Sequence, residues 1–272
     1  MPDESPSLAW DPGQYALFHE HRSRPLRDLL AHVEARDPSV VVDLGCGPGE
    51  LTLSLAGRWP GARVLGIDSS PEMLARARLA DREGRVAWVQ RSAEEWDPRA
   101  VGPVDVLVTN ATLQWVPTHL RLLREWLRAL APGGTLAMQV PSNFSAPSHR
   151  LLREVAARSA RAEELRPGLE RADAVARPQQ YAALLLEEAP VVDVWETTYQ
   201  HVLPAAPDAP HPVLEWMKGT GLRPVLAVLT APAERAALLA DYERELEAAY
   251  PRRPFGVLFP FSRTFAVART RG

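Results

Sequence analysis

The chain has a single cysteine, Cys46, a single lysine, Lys218, and no apolar stretch approaching the ~20 residues that cross a bilayer. One cysteine excludes an intramolecular disulfide and argues against a structural zinc site; no metal is expected. With 31 basic and 34 acidic residues the formal net charge is only -3, which offers no electrostatic attraction to nucleic acid or to an anionic membrane. Positive charge is almost wholly guanidinium, a group suited to carboxylates. The opening Met-Pro-Asp-Glu-Ser is acidic and lacks an apolar core, so no signal peptide is expected and the reading is a soluble, cytoplasmic protein. Absent too is the G-x-G-x-x-G spacing that receives a dinucleotide pyrophosphate. At 272 residues and 46% hydrophobic content, the chain suffices for one large domain or one domain with a substantial insertion.

What is present is organised around Val40-Val41-Val42-Asp43-Leu44-Gly45-Cys46-Gly47-Pro48-Gly49-Glu50. Its apolar, β-branched start predicts a strand covered on both faces. Gly45, Gly47 and Gly49 let the backbone bend and a ligand lie against it. Leu51 and Leu55 begin a helix whose free N–H groups face the loop. Arg63-Val64-Leu65-Gly66-Ile67-Asp68 predicts a second buried strand, and Asp68 follows the last loop glycine by nineteen residues. A carboxylate at that spacing accepts hydrogen bonds from ribose hydroxyls in doubly wound sheets. The segment therefore describes a site for an adenosine-containing cofactor. Glu50 stands where a dinucleotide loop carries its third glycine; a carboxylate there repels a pyrophosphate but not a ligand bearing an amino group and a sulfonium. Val-Asp-Leu-Gly-Cys-Gly-Pro-Gly resembles the first motif of class I S-adenosylmethionine-dependent methyltransferases. The bland alternative is a glycine turn that joins strand to helix without a ligand.

Further on, residues 1–9 are expected to be disordered, and a helix is expected from about Pro25 to Ala35 with Leu26, Leu29, Leu30 and Val33 on one face. Ser70-Pro71-Glu72 reads as a helix start. Strands are expected at Val86–Gln90, Val104–Asn110, Thr135–Val140 and Val191–Leu203, with helices between them. One of these helices runs Thr118–Leu130 with Leu120, Leu123, Leu127 and Leu130 inward, and another runs Pro147 to about Glu164. Arg166–Arg177 reads as a loop and Gln179–Glu188 as a helix. After the proline-rich connector 204–212, helices are expected at 211–218, 223–229 and 233–249, then a last strand at 260–269 closing the sheet as an edge strand. The fold class is α/β: a doubly wound, seven-stranded, mostly parallel Rossmann-like sheet with a helical lid insertion before the last strand. The expected division is an N-terminal segment and helix over the cofactor mouth (1–36), a core (37–203 and 257–272) and the lid (204–256). A scaffolding or dimerisation appendage is the alternative for the last of these.

Beyond the cofactor motif the whole chain resembles the trans-aconitate methyltransferase family. The resemblance is carried by His21-Arg22-Ser23-Arg24-Pro25, Gly66-Ile67-Asp68-Ser69-Ser70-Pro71, Leu113-Gln114-Trp115, Gln139-Val140-Pro141-Ser142-Asn143-Phe144, Trp195 to His201 and Thr220-Gly221-Leu222-Arg223-Pro224. It implies methyl transfer from S-adenosylmethionine to a carboxylate of a small tricarboxylate, giving a monomethyl ester. The cofactor set it implies is Asp43, Gly45, Cys46, Gly47, Gly49, Asp68, Ser69, Met73, Ser92, Ala93, Glu94 and Asn110. Ser92 departs from the aspartate that many relatives carry, and Cys46 is expected to pack rather than react. The acceptor candidates are Arg22, Arg24, Asn143, Tyr199, His201 and Arg223, with Gln114 and Trp115 shaping the wall. Each acceptor candidate also has a plain structural reading: solvated arginines, a turn asparagine, core-edge aromatics, a bridge between helices. Asn110-Ala111-Thr112-Leu113 lacks the Asn-Pro-Pro-Tyr of methyltransferases acting on nucleic-acid amines, so no nucleic-acid partner is expected. A monomer or weak dimer is expected, and no catalytic acid or base. The competing readings are a methyltransferase for another acid, a phenol or an amine, a nicotinamide-dependent oxidoreductase, and a non-catalytic S-adenosylmethionine-binding module.

Overall fold

The computed structural model describes residues 19–170 and 174–272, and only the backbone of residues 19–23. The expected disorder of residues 1–9 and the role given to the Arg22 side chain lie outside the described residues. Two compact units are present. A sheet unit comprises Ser23–Ser142, Ala174–Thr197 and Ser262–Gly272. A helical unit contains Asn143–Asp173 and Thr198–Phe261, so the helices before the last strand are grouped with two that follow the fifth strand.

In chain order the elements are α1 (His19–Ala31), β1 (Val40–Leu44), α2 (Glu50–Arg58), β2 (Arg63–Asp68), α3 (Pro71–Ala80), β3 (Val86–Gln90), β4 (Val106–Asn110), α4 (His119–Ala129), β5 (Thr135–Pro141), α5 (Pro147–Ala157), α6 (Ala162–Leu169), α7 (Pro178–Leu186), β6 (Val191–Leu203), α8 (Pro212–Lys218), α9 (Arg223–Val228), α10 (Pro232–Ala249) and β7 (Val257–Arg269). They form one seven-stranded sheet in the order β3-β2-β1-β4-β5-β7-β6. The strands from β3 to β5 are parallel, with Val41 opposite both Val64 and Val106, and β7 runs antiparallel to β5 from Thr135↔Arg269 to Pro141↔Arg263. Val41, Val42 and Leu44 of β1 are buried, as a strand covered on both faces requires. The sheet-unit core joins Val42, Leu65, Leu107 and Leu136 to Leu123 and Trp126 of α4, while the helical unit packs its own core around Leu152, Trp216, Met217, Tyr242 and Phe259.

Four expectations are corrected. β7 is not an edge strand: it lies between β5 and β6, and β6 forms the edge. The continuous burial of residues 263–268 needs neighbours on both sides, whereas the exposed, alternating first half of β6 tolerates an open flank. The single helix expected from Pro147 is two, because the Arg158 and Ser159 N–H groups close tight turns onto Val155 and Ala156, and the Ser159 hydroxyl takes the Arg161 N–H. α6 accordingly occupies the start of the stretch read as a loop. In α4 Leu123, Leu127 and, just past its end, Leu130 are buried as expected, but Leu120 is only half-buried, and His119, Leu122 and Trp126 complete the buried face. Finally, α1 starts earlier and ends sooner than expected, its end tightened by His32 and Val33 N–H bonds to Leu29 and Leu30.

Candidate functional site

β1 ends in the glycine loop, where Gly45, Gly47 and Gly49 have φ of 80°, 55° and 85°. Two anchors hold it to the end of β2. The Gly45 and Cys46 N–H groups donate to Ile67 O at 2.7 and 3.0 Å, and Gly47 N–H donates to Asp68 Oδ2 at 2.9 Å. Asp68 Oδ1 accepts the Ser70 N–H at 2.8 Å. With one backbone donor on each oxygen, the carboxylate keeps lone pairs for the two hydroxyls of a ribose.

The three glycines are required for different reasons. A Cβ at Gly45 would lie 1.9 Å from Thr112 Oγ1, and one at Gly49 would meet Trp88 at 2.6 Å. A Cβ at Gly47 would meet nothing within 4 Å. Protein backs the loop at its ends, and the middle opens onto space.

Electrostatics favour a cation here. Asp43 is buried, accepts the Thr52 hydroxyl at 2.7 Å, and has its pKa pushed up to about 6 by burial, opposed by Thr52 and assisted by the neighbouring Asp68. It is therefore charged at neutral pH inside a low-dielectric site. Burial and both carboxylates raise the Cys46 thiol, so it stays protonated and packs.

β4 brings the other wall. Ala111, just past its end, adopts φ 55°, a left-handed conformation that costs about 1–2 kcal/mol outside glycine. Its N–H donates to Gln139 O at 2.9 Å and its carbonyl accepts Gln114 Nε2 at 2.6 Å, so both neighbours fix the strained turn. Asn110 Oδ1 is buried with no hydrogen-bond partner among the described residues. An unpaired buried acceptor, an open glycine face and a buried carboxylate together fit a ligand bearing an ammonium group and a ribose.

The adenine-side set is mixed. Ser92 Oγ accepts the Glu95 N–H at 3.3 Å, Glu94 is exposed, and Ser69 O accepts Gln90 Nε2 at 3.4 Å. Ala93 and Met73 are buried, Ala93 as part of the sheet-unit core and Met73 on α3. Trp96, close by in sequence, belongs to the core: it packs on Trp126 with centroids 6.0 Å apart.

Among acceptor candidates in the sheet unit, Gln114 is buried, Trp115 is 43% exposed, and Arg24 is exposed with Nε 3.7 Å from Asp28. In the helical unit Asn143, Tyr199 and His201 are buried. Asn143 Nδ2 has no partner among the described residues. The Tyr199 and His201 rings are parallel, 6.1 Å apart, and His201 also stacks on Trp216 at 5.3 Å. Arg223 is half-buried, with its pKa lowered by burial. The residues beside the glycine loop and the strand ends that sequence reasoning did not name are Thr52, Thr112, Gln139 and Arg263. Only the register that sets Gln139 beside Asn110 and Arg263 beside Pro141 brings the last two to the strand ends.

A sequence family described as "Methyltransferase domain" matches residues 41–134. The trans-aconitate 2-methyltransferase of Streptomyces coelicolor is 50% identical over 99% of this chain and 88% of its own length. That of Azoarcus sp. is 47% identical over 95% of this chain and 98% of its own. The chain belongs to the trans-aconitate 2-methyltransferase family. In the fold alone it is also similar to the YcgJ protein of Bacillus subtilis (TM-score 0.56, 13% identity, 93% of this chain and 99% of that one) and to a methyltransferase-like protein of Bacillus halodurans (TM-score 0.57, 15% identity, 92% and 100%). The family likeness extends well past residue 134, through the β6, α9 and β7 segments that lie outside the shared cofactor half. Among the described residues no helix is long and apolar enough to cross a membrane, and no cluster of three or more His, Cys, Asp or Glu side chains is placed to hold a metal.

Proposed function

We propose that this chain transfers a methyl group from S-adenosylmethionine to one carboxylate of trans-aconitate, or a closely related small tricarboxylate, giving a monomethyl ester and S-adenosylhomocysteine. The observation that carries the reading is 50% identity through 99% of the chain to a trans-aconitate 2-methyltransferase. Bound S-adenosylmethionine supplies an electrophilic methyl group on a sulfonium. Asp68 takes the ribose hydroxyls, Gly47 leaves room for the ligand, Asn110 Oδ1 accepts from its ammonium, and Asp43 supplies the negative field. Ser69, Ser92 and Glu94 border the adenine.

The acceptor needs no base. A carboxyl group with a pKa of about 4 is already ionised at neutral pH, and the carboxylate is itself the nucleophile. What the chain contributes is alignment of that oxygen and exclusion of water. The carboxylates that do not react require donors, and Asn143 Nδ2, Tyr199, His201 and Arg223 of the helical unit are proposed for them, with Arg22 and Arg24. The helices between β6 and β7 act as a lid over the bound acceptor. The enzyme works in the cytoplasm as a monomer or weak dimer, with neither nucleic acid nor membrane as partner.

The test is turnover with S-adenosylmethionine and a panel of di- and tricarboxylates, read by mass spectrometry. Arg24→Ala and Arg223→Ala are expected to raise KM for the acceptor; an unchanged KM removes that residue from the set.

A further inference from the structure

Gly49 and Gly66 stand on different elements, yet one ring excludes a side chain at both. A Cβ at Gly66 would lie 2.4 and 2.6 Å from Cζ3 and Cε3 of Trp88, and a Cβ at Gly49 would lie 2.6 Å from its Cη2. Gly66 sits inside β2 without a left-handed backbone, so the close approach of the indole is what keeps that position bare. Trp88 is the cross-strand neighbour of Gly66 in the β2–β3 pair; its side chain leaves the sheet on the same face and lies across the β2 backbone. The far edge of the ring reaches Gly49, which caps α2, and Ala77 of α3 closes on the same point, its Cβ 2.7 Å from the Gly49 Cβ position.

The indole is fixed from its nitrogen as well. Trp88 Nε1 donates to Asp81 Oδ2 at 3.2 Å. Asp81, 9% exposed, also takes the Arg85 N–H at 2.9 Å on Oδ1 and the Val86 N–H at 3.0 Å on Oδ2. Three donors hold this carboxylate at the end of α3, and its bond to Nε1 sets the direction in which the ring points. The glycine loop lacks such fastening at its far end. Its first half is tied to β2 by the Gly45, Cys46 and Gly47 N–H bonds to Ile67 and Asp68. Gly49 offers no side chain to cap α2, and its N–H turns back onto Cys46 O at 3.2 Å, within the loop itself. What braces this end from outside is packing: Gly49 is buried against Trp88 and Ala77.

We propose that Trp88 is a positioning residue for S-adenosylmethionine: held by Asp81, its indole sets the height of the glycine loop above β2, and with it the space between the Gly47 backbone and the Asp68 carboxylate. Trp88 acts through Gly49 rather than by touching the ligand. The three bare positions then divide by purpose. Gly47 leaves room for the cofactor, whereas Gly49 and Gly66 leave room for the tryptophan. The inference rests on the cofactor reading above.

The experiment measures the Kd of S-adenosylhomocysteine by calorimetry, Tm without ligand, and KM for S-adenosylmethionine and trans-aconitate separately. Trp88→Phe keeps an aromatic ring but loses both the reach to Gly49 and the bond to Asp81. It is expected to raise the Kd of S-adenosylhomocysteine and KM for S-adenosylmethionine roughly tenfold, the scale of one hydrogen bond to a charged group, with KM for trans-aconitate unchanged. Trp88 is half-buried on an edge strand, so the variant should fold, with a Tm lower by several degrees. Gly66→Ala tests the same contact with Trp88 in place and covers the case in which Trp88→Phe does not fold. Its methyl displaces the indole, so the Kd rises likewise. In a Trp88→Ala background the Gly66→Ala change meets no ring and should lower Tm less than it does alone. A folded Trp88→Phe protein with lowered Tm but a Kd within about twofold of wild type makes the indole a core filler and overturns the inference. An equal effect of Gly66→Ala on Tm in both backgrounds also overturns it. A wild-type protein that does not bind S-adenosylhomocysteine overturns the cofactor reading, and this assignment with it; the coupling of Gly66 to Trp88 is read without ligand and separates the two failures.

Discussion

Asp43 holds a charge where the fold alone gives no reason for one. Its carboxyl moves from an ordinary value of 3.8 to about 6 on folding, mainly through burial. The folded state therefore binds a proton more tightly than the unfolded chain, and stability falls as pH rises through this window, by about 3 kcal/mol in total. Asp43→Asn removes the titration but can still accept the Thr52 hydroxyl. The expected outcome is that the Tm of the variant gains on wild type as pH is raised from about 4 to 7, while the variant binds S-adenosylmethionine at least tenfold more weakly. A Tm difference that does not change with pH would contradict the assignment. For the same reason, wild-type cofactor affinity should decline as pH falls below about 6. Gly47 and Gly45 make a paired test. Gly47→Ala meets open space, so it should fold with only the cost of a left-handed alanine, about 1–2 kcal/mol, yet lose cofactor affinity. Gly45→Ala drives a methyl into Thr112 and should destabilise the free protein itself, which thermal unfolding without ligand separates from a binding defect.

Among the elements, those proposed to carry the cofactor were legible from pattern alone. β1, the glycine loop, β2 with Asp68 at its end and the Ser70 start of α3 stand where spacing put them, because each is set by neighbours within a few residues. Ser70 Oγ accepts the Met73 N–H at 3.2 Å, while the Ser70 backbone N–H holds Asp68. Ser70→Ala should therefore cost about 1 kcal/mol of stability, seen as a small fall in Tm, with cofactor affinity nearly unchanged since the backbone bond remains. What pattern could not supply was long-range order. A run such as Phe265-Ala266-Val267-Ala268 reads equally as an inner or an outer strand, and only the presence of β6 on the side away from β5 decides that β7 is enclosed. The break between α5 and α6 was hidden because alanine and arginine are good helix formers, and the Ser159 hydroxyl wins by a local hydrogen bond. Gln139 and Arg263 escaped for the same reason as β7: 124 positions apart, they meet only through register.

Over the whole molecule, the two compact units carry different kinds of residue. The sheet unit holds every residue of the cofactor set, and the helical unit holds Asn143, Tyr199, His201 and Arg223. Family membership covers both, since the relatives match 95–99% of the chain and not the methyltransferase half alone. S-adenosylhomocysteine at a hundred times its Kd should add about 2.7 kcal/mol of stability, and the accompanying gain in amide protection should be greatest at the ends of β1, β2 and β4. The most direct test of the central claim is turnover of trans-aconitate with S-adenosylmethionine, the product weighed by mass spectrometry. The account predicts an ester heavier by one methyl group, formed faster from trans-aconitate than from any dicarboxylate in the panel, with an equal amount of S-adenosylhomocysteine. Tight cofactor binding with no carboxylate methylated would contradict it, leaving the fold and the cofactor site in place and assigning the acceptor to another chemistry.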